Sequence, residues 1–269
     1  MKRMIMLAAA LVLVAASPAD ARKKPLTILH VNDTHSHLDP DRTDGSGGVI
    51  ERTAFVDSVR KADGKRNVLY LHGGDFNQGT SYFTVLKGDL EVSLVNAAKF
   101  DCVTLGNHEF DNGLEELGRR LGNLNMPFVC ANYDFSGFEA GKYVRPYTII
   151  KRAGRKIGII GMLCNIYAMV DYSVSSKVPK IGDEVELTNK WAAYLKDVEK
   201  CDIVILLSHM GYTDDVKVVA QTRNVDLVVG GHSHTLLDNM QTVTDLDGKP
   251  VRVVQDWCWG REVGVLKID

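Results

Sequence analysis

The chain has 269 residues, of which 45% are hydrophobic and 25% charged, with a formal net charge of −2. That is enough chain to bury a substantial core as one large domain or two small ones, with the composition of an ordinary globular protein. The slight negative balance offers no basic surface of the kind that binds nucleic acid.

The N-terminus reads as a leader. Lys2 and Arg3 precede an apolar run from Met4 to Ala16, and Ala19-Asp20-Ala21 has the small-x-small form of a cleavage site. The run is too short to span a bilayer. Residues 1–21 are therefore expected to be a signal peptide, residues 22–269 the mature domain, and the protein periplasmic or secreted with no membrane anchor. Removing Lys2, Arg3 and Asp20 changes the formal charge from −2 to −3.

Short apolar, β-branched runs then alternate with helix-length segments. LTILHV (26–31) is the first expected strand, and GGVIERTAFVDSVRKAD (47–63) the first expected helix. The strands NVLYLH (67–72), CVTL (102–105) and FVCA (128–131) follow. YTIIKRAGRKIGII reads as a hairpin leading into KIGIIGML (156–163). In DEVELTNKWAAYLKDVEK, residues Leu187, Trp191, Tyr194, Leu195 and Val198 share one helical face. Asp183 with Glu186 opens that helix like a capping box. DIVILLS (202–208), VDLVVG (225–230), VRVVQDW and VGVLKI complete the expected strands. Strand–helix alternation implies parallel pairing in an α/β fold.

Five of these strands run straight into polar clusters: NDTHSH, GGDFNQGT, GNHEFD, HMG and GHSH. Ligands in open α/β sheets bind beyond the carboxyl ends of strands, so five such ends can meet at one site. At positions that read as functional, the clusters hold five of the eight histidines, His35, His108, His209, His232 and His234, with Asp33, Asp75 and Asn107. Imidazole with carboxylate and amide oxygen, and no thiolate, suits zinc, manganese, iron or cobalt. It is too rich in nitrogen for calcium. The number of donors suits two divalent metal ions sharing a bridge, an arrangement that clamps the attacking and leaving oxygens of a phosphoryl transfer.

The order D-x-H, G-D, G-N-H-E, H, G-H-x-H resembles the signature of calcineurin-like metallophosphoesterases. ILHVNDTHSHL, GGDFNQGT, LGNHEFDNG, SHMG and GGHSH are similar to the 5′-nucleotidase branch. The resemblance runs from about Leu26 to Asp269. It implies a four-layer α-β-β-α sandwich. Asp33, His35 and His234 would hold the first metal and Asn107, His209 and His232 the second, with Asp75 as the bridge. His108 and Asp111 would form a catalytic pair beside the substrate phosphate, and Glu109 would support a neighbouring histidine or backbone group.

The implied reaction is metal-assisted hydrolysis of a phosphorylated small molecule, a nucleotide in the first instance, by water made nucleophilic near neutral pH. A 2′,3′-cyclic phosphodiesterase or sugar-nucleotide hydrolase has the same metal residues. A non-catalytic, metal-retaining binding subunit would need neither His108 nor Asp111. Relatives of this branch carry a C-terminal nucleotide-specificity domain, so a separate partner polypeptide is one expectation and a stand-alone enzyme of loose specificity the other. Aromatic residues are only 7% of the chain, and Trp191 and Tyr194 read as core; the isolated chain is thus expected to handle nucleoside monophosphates poorly.

His30, His37 and His72 read as structural, with the lining of the site as the alternative for His37. Gly47 and Gly48 read as a helix start rather than a phosphate cradle, since no P-loop pattern is present. The five cysteines have no paired spacing and read as small buried hydrophobes.

Overall fold

Alternation along the first strands divides their side chains between two cores, and that division sets the architecture. A computed structural model of the chain describes residues 24–269; the expected leader at 1–21 lies outside the described residues. The strands are β1 (Leu26–Val31), β2 (Val68–His72), β3 (Cys102–Thr104), β4 (Phe128–Val129), β5 (Val144–Arg145), β6 (Tyr147–Arg152), β7 (Arg155–Leu163), β8 (Ile203–His209), β9 (Leu227–Val229), β10 (Gln241–Thr244), β11 (Pro250–Val254) and β12 (Gly264–Ile268). They form two sheets, ordered β12-β1-β2-β3-β4-β5 and β10-β11-β9-β8-β7-β6. Pairing is parallel through the middle of each sheet and antiparallel for β12, β10 and β6.

Ile28, Leu69 and Leu71 face Ile159, Ile205, Leu207 and Val229 in a core between the sheets. Their sequence neighbours Leu29, Val31, Val68 and Tyr70 face outward, onto Val56, Val95, Leu117 and Leu121 of helices Val49–Asp63, Asp89–Ala98 and Gly113–Gly122. On the second sheet Ile160, Met162, Val204 and Leu206 pack against helices Glu184–Ala193 and Tyr212–Val219. The result is helix, sheet, sheet, helix, the expected four layers. A strand buried on both faces reads as a continuous apolar run, which is why these segments stand out in the sequence. Each such side chain contributes roughly 1.5–3 kcal/mol on burial, so a one-residue slip in register is heavily penalised.

Most of the expected elements are present, with ends moved by a residue or two. The hairpin turns at Ala153 and Gly154, both at positive φ (51° and 75°), as a type I′ connection requires. Asp183 caps its helix by accepting from the N–H groups of Val185 and Glu186. One expectation fails: Val198 is 62% exposed. The helix widens into a π-turn at Tyr194–Val198, and the extra residue per turn rotates Val198 off the buried face while leaving Leu195 on it. All five cysteines are buried and free. Gly48 caps the Val49–Asp63 helix at φ 86°, where an added Cβ would lie 2.9 Å from Pro40. No described helix is long and apolar enough to cross a membrane.

Candidate functional site

The carboxyl ends of β1, β2, β3, β8 and β9 converge across the two sheets. Asp33 and His35 follow β1, Asp75 follows β2, Asn107 and His108 lie in a single helical turn after β3, His209 ends β8, and His232 and His234 follow β9. The loops are zipped by backbone hydrogen bonds: Asp33 N–H donates to Gly74 O (2.9 Å), His35 N–H to Asp75 O (3.0 Å) and Ser36 N–H to Phe76 O (3.1 Å).

Five of the seven expected ligands have left-handed backbone: Asp33 (φ 49°), His35 (46°), Asp75 (56°), His232 (73°) and His234 (50°). Each such non-glycine residue costs roughly 1–2 kcal/mol. Conformations of this kind persist where the surroundings over-determine them, and they cluster at functional sites. Here they turn each side chain out of the strand direction towards a common centre.

Close loop packing demands glycine at one further position. A Cβ on Gly106 would collide with the backbone and side chain of Asp75. Next to it Glu109, fully buried, accepts N–H groups from Gly106 (2.7 Å), Asp75 (2.9 Å), Phe76 (3.0 Å) and Asn77 (3.3 Å). It therefore ties the β3 turn to the β2 turn through backbone groups. Burial, then the Asp75 charge, pushes Glu109 up to about 7; every contact it makes is nevertheless as an acceptor, the role of an ionised carboxylate.

The histidine rings are held from behind. His209 Nδ1 lies 2.6 Å from Gly73 O and His35 Nδ1 3.3 Å from Asn77 O, so each donates there and turns Nε2 inward. His209 Nε2 is buried without a hydrogen-bond partner and lies 3.0 Å from Asp75 Oδ2. His35 Nε2 lies 3.0 Å from His234 Nε2, and His234 Nε2 lies 3.4 Å from Asp33 Oδ1. Lone pairs thus face one another, an arrangement that only a proton or a cation stabilises. The electrostatics agree. Burial opposes charge on His209, yet Asp75 and Asp33 push it up to about 10. Burial also works to raise Asp75, yet its histidine neighbours, His209 first, hold it well below the usual carboxylate range. Hydrogen bonds to Asp33 and Cys258 raise His234 to about 10.

Three groups of side chains, each with ligand atoms within 4.8 Å of one another, meet the geometry for holding a metal ion: Asp33-His35-His234, Asp75-His209-His232 and His35-Asp75-His108. Back-side donation to backbone carbonyls is the usual support for metal-binding histidines. The residues present fit a pair of divalent ions. Asn107, buried at the edge of the cluster, has Oδ1 3.7 Å from Cys164 Sγ. His108 Nδ1 lies 2.8 Å from Asp111 Oδ2, and the ring is half-exposed beside His35, with centroids 5.2 Å apart.

Residues 26–236 match the family described as calcineurin-like phosphoesterase. The chain belongs to that family. It is 34% identical to a 5′-nucleotidase of Bos taurus across 93% of this chain and 47% of the relative, and 34% identical to a snake venom 5′-nucleotidase of Naja atra across 90% and 50%. The solved 5′-nucleotidase precursor of Thermus thermophilus superposes with a TM-score of 0.84 at 33% identity, covering 91% of this chain and 51% of that one. The NAD nucleotidase of Haemophilus influenzae superposes at 0.81 and 33%, covering 90% and 52%. The chain spans about half the length of the curated relatives it matches.

Of the leftover histidines, His72 accepts from Gly74 N–H at Nδ1 (3.1 Å) and faces Thr34 Oγ1 with Nε2 (3.1 Å); burial keeps it neutral, with its pKa down at about 3. His30 is buried against Asp256. His37 is different: it stacks on Trp259 with ring centroids 4.8 Å apart. Low aromatic content points away from aromatic side chains near the centre, and sequence reasoning misses Trp257 and Trp259 because they are distant along the chain. The doubled Trp in DWCWG is the available signal.

Proposed function

We propose that the chain hydrolyses phosphate monoesters of the nucleoside monophosphate class at a dinuclear divalent-metal centre. Asp33, His35 and His234 would hold the first ion and Asn107, His209 and His232 the second, with the Asp75 carboxylate shared between them. The observation that carries this reading is the sharing of Asp75: its carboxylate belongs both to the group with His209 and His232 and to a group with His35.

Two such ions, when bound, act as Lewis acids on phosphoryl oxygens and lower the pKa of a water to near neutrality. The chain's own residues do the rest. The left-handed turns and the Gly73 and Asn77 carbonyls fix the ligand geometry in advance, so little reorganisation accompanies the reaction. Glu109 keeps the Asp75 and Asn107 turns at a constant separation. His108, oriented by Asp111, places a charged N–H beside the phosphoryl group, where negative charge develops. An intact His108–Asp111 pair favours a working enzyme over a binding subunit that only retains metal.

Zinc, manganese, iron and cobalt all suit the donor set. The leader-like N-terminus supports a periplasmic or secreted location. A polypeptide carrying a nucleotide-specificity domain is the proposed partner for full efficiency. The test is steady-state hydrolysis of AMP, a 2′,3′-cyclic nucleotide, a sugar nucleotide and p-nitrophenyl phosphate with each metal. Turnover of none of them by metal-loaded protein overturns the reading, and preference for the cyclic diester or the sugar nucleotide replaces the nucleotidase assignment.

A further inference from the structure

The turn that bears His232 and His234 is strained twice, since both residues have left-handed backbone at φ 73° and 50°. It also lacks a support that the other histidines have. Backbone carbonyls fix the rings of His35 and His209, whereas among the described residues no carbonyl stands behind the ring of His232 or His234. Where these two imidazoles point is therefore decided by the backbone of residues 231–235.

One side chain holds that backbone. Gln255 is fully buried and directly follows β11. Its Nε2 donates to Gly231 O at 2.8 Å, just before His232. Its Oε1 accepts Thr235 N–H at 2.6 Å, just after His234, and the Ser233 hydroxyl between them at 3.0 Å. These partners fix the orientation of the amide, because Gly231 O needs a donor and Thr235 N–H an acceptor. A carboxylate offers no donor, and a hydrocarbon offers neither group. Gly230 leaves room for the amide: a Cβ there would lie 3.0 Å from Gln255 Nε2.

The support is itself anchored. Leu237 N–H donates to Gln255 O at 3.2 Å and Trp257 N–H to Thr235 O at 3.0 Å. From the other side, His232 N–H donates to Asp33 Oδ2 at 2.9 Å. Ser233 Oγ also accepts Tyr212 N–H at 3.0 Å, which joins the turn to the segment leaving His209.

His232 and His234 belong to different ligand groups, the first with Asp75 and His209, the second with Asp33 and His35. Whatever fixes one of them relative to the other also fixes the two groups relative to each other. We propose that Gln255 is a positioning residue for both metal sites, its amide clamping the 231–235 turn so that His232 and His234 serve their separate sites together. This rests on the two-metal reading above and gives a role to a residue that is itself no ligand.

The test is calorimetric titration of manganese into metal-free protein, well below its melting temperature. Gln255→Met keeps the length of the side chain and removes both hydrogen-bonding groups. It should lower the affinity of both sites roughly 10–100-fold, the scale of a lost partner behind the ligands. Asp183→Ala removes the cap of a distant helix. It should lower the melting temperature by about 2–4 °C and leave both affinities unchanged. Wild type with two ions and a loss at both sites confined to Gln255→Met upholds the clamp. Affinities within about twofold of wild type, or a loss at one site alone, overturn it and leave the two-metal reading standing. An equal loss in Asp183→Ala marks the effect as one of stability and also overturns the clamp. Wild type that takes up fewer than two ions removes the reading and the clamp with it. If Gln255→Met does not fold, Ser233→Ala decides. It removes only the hydroxyl that Gln255 accepts and should weaken both sites roughly threefold, the low end for one hydrogen bond; unchanged affinities there overturn the clamp.

Discussion

Asp75 Oδ2 lies 3.0 Å from His209 Nε2, and that nitrogen has no hydrogen-bond partner although it is fully buried. Its ring is fixed from behind by Gly73 O. A buried imidazole nitrogen this close to a carboxylate needs a proton or a cation between the two. Asp75→Asn should therefore remove both proposed ions, whereas Asn107→Ala should weaken mainly one. Metal content of the purified variants decides the matter, and full occupancy of both sites in Asp75→Asn would show that Asp75 is no bridge. Metal binding should also stabilise the fold, by about 2.7 kcal/mol at 100 times Kd. The melting temperature should fall with chelator in wild type and respond little in Asp75→Asn.

His108 stands next to a proposed ligand without being one in this reading. His108→Ala should retain both metals and lose roughly 10²–10⁴-fold in kcat. Parallel loss of metal and turnover would instead place His108 among the ligands, in the group it forms with His35 and Asp75.

The charge on His108 gives a pH test. Burial opposes it, but the Asp111 hydrogen bond and the Asp75 and Asp111 charges outweigh burial, so the pKa is raised. The charged form, and with it catalysis, is present at low pH and is lost as pH rises through that raised value. Asp111→Asn removes the Asp111 charge and leaves at most a weaker, neutral hydrogen bond. The alkaline limb of the kcat profile should move to lower pH, and a limb that stays in place would detach it from His108.

Glu109 accepts four backbone N–H groups in a fully buried position. Glu109→Gln exchanges one acceptor oxygen for an NH2 that faces donors. Leaving such groups unpaired costs roughly 1–3 kcal/mol. For a chain of this size each kcal/mol is worth about 2–4 °C in melting temperature. The variant should melt lower, and its affinity for both metals should fall because the turns bearing Asp75 and Asn107 lose their tie. An unchanged melting curve would show that Glu109 is dispensable to the fold.

The buried strands were legible in the sequence because their signal is local. Runs such as LTILHV and DIVILLS are apolar at almost every position, and a strand covered on both faces requires little else. The polar clusters were legible for a related reason: in a parallel sheet, the residues after each strand must emerge at one edge, so their order already places them together. Other features depended on tertiary structure. Whether Ile28 joins the inter-sheet core and Leu29 the helix-facing one is decided by which layers close over them. Val198 kept the periodicity of a buried face and lost its place because the helix widened by one residue before it. The left-handed turns at Asp33, His35, Asp75, His232 and His234 oppose local preference and exist only because neighbouring loops grip them. The His37–Trp259 stack joins residues 222 positions apart. No local pattern encodes such a contact, since it forms only when antiparallel β12 is laid beside β1 and brings the segment preceding it over the centre.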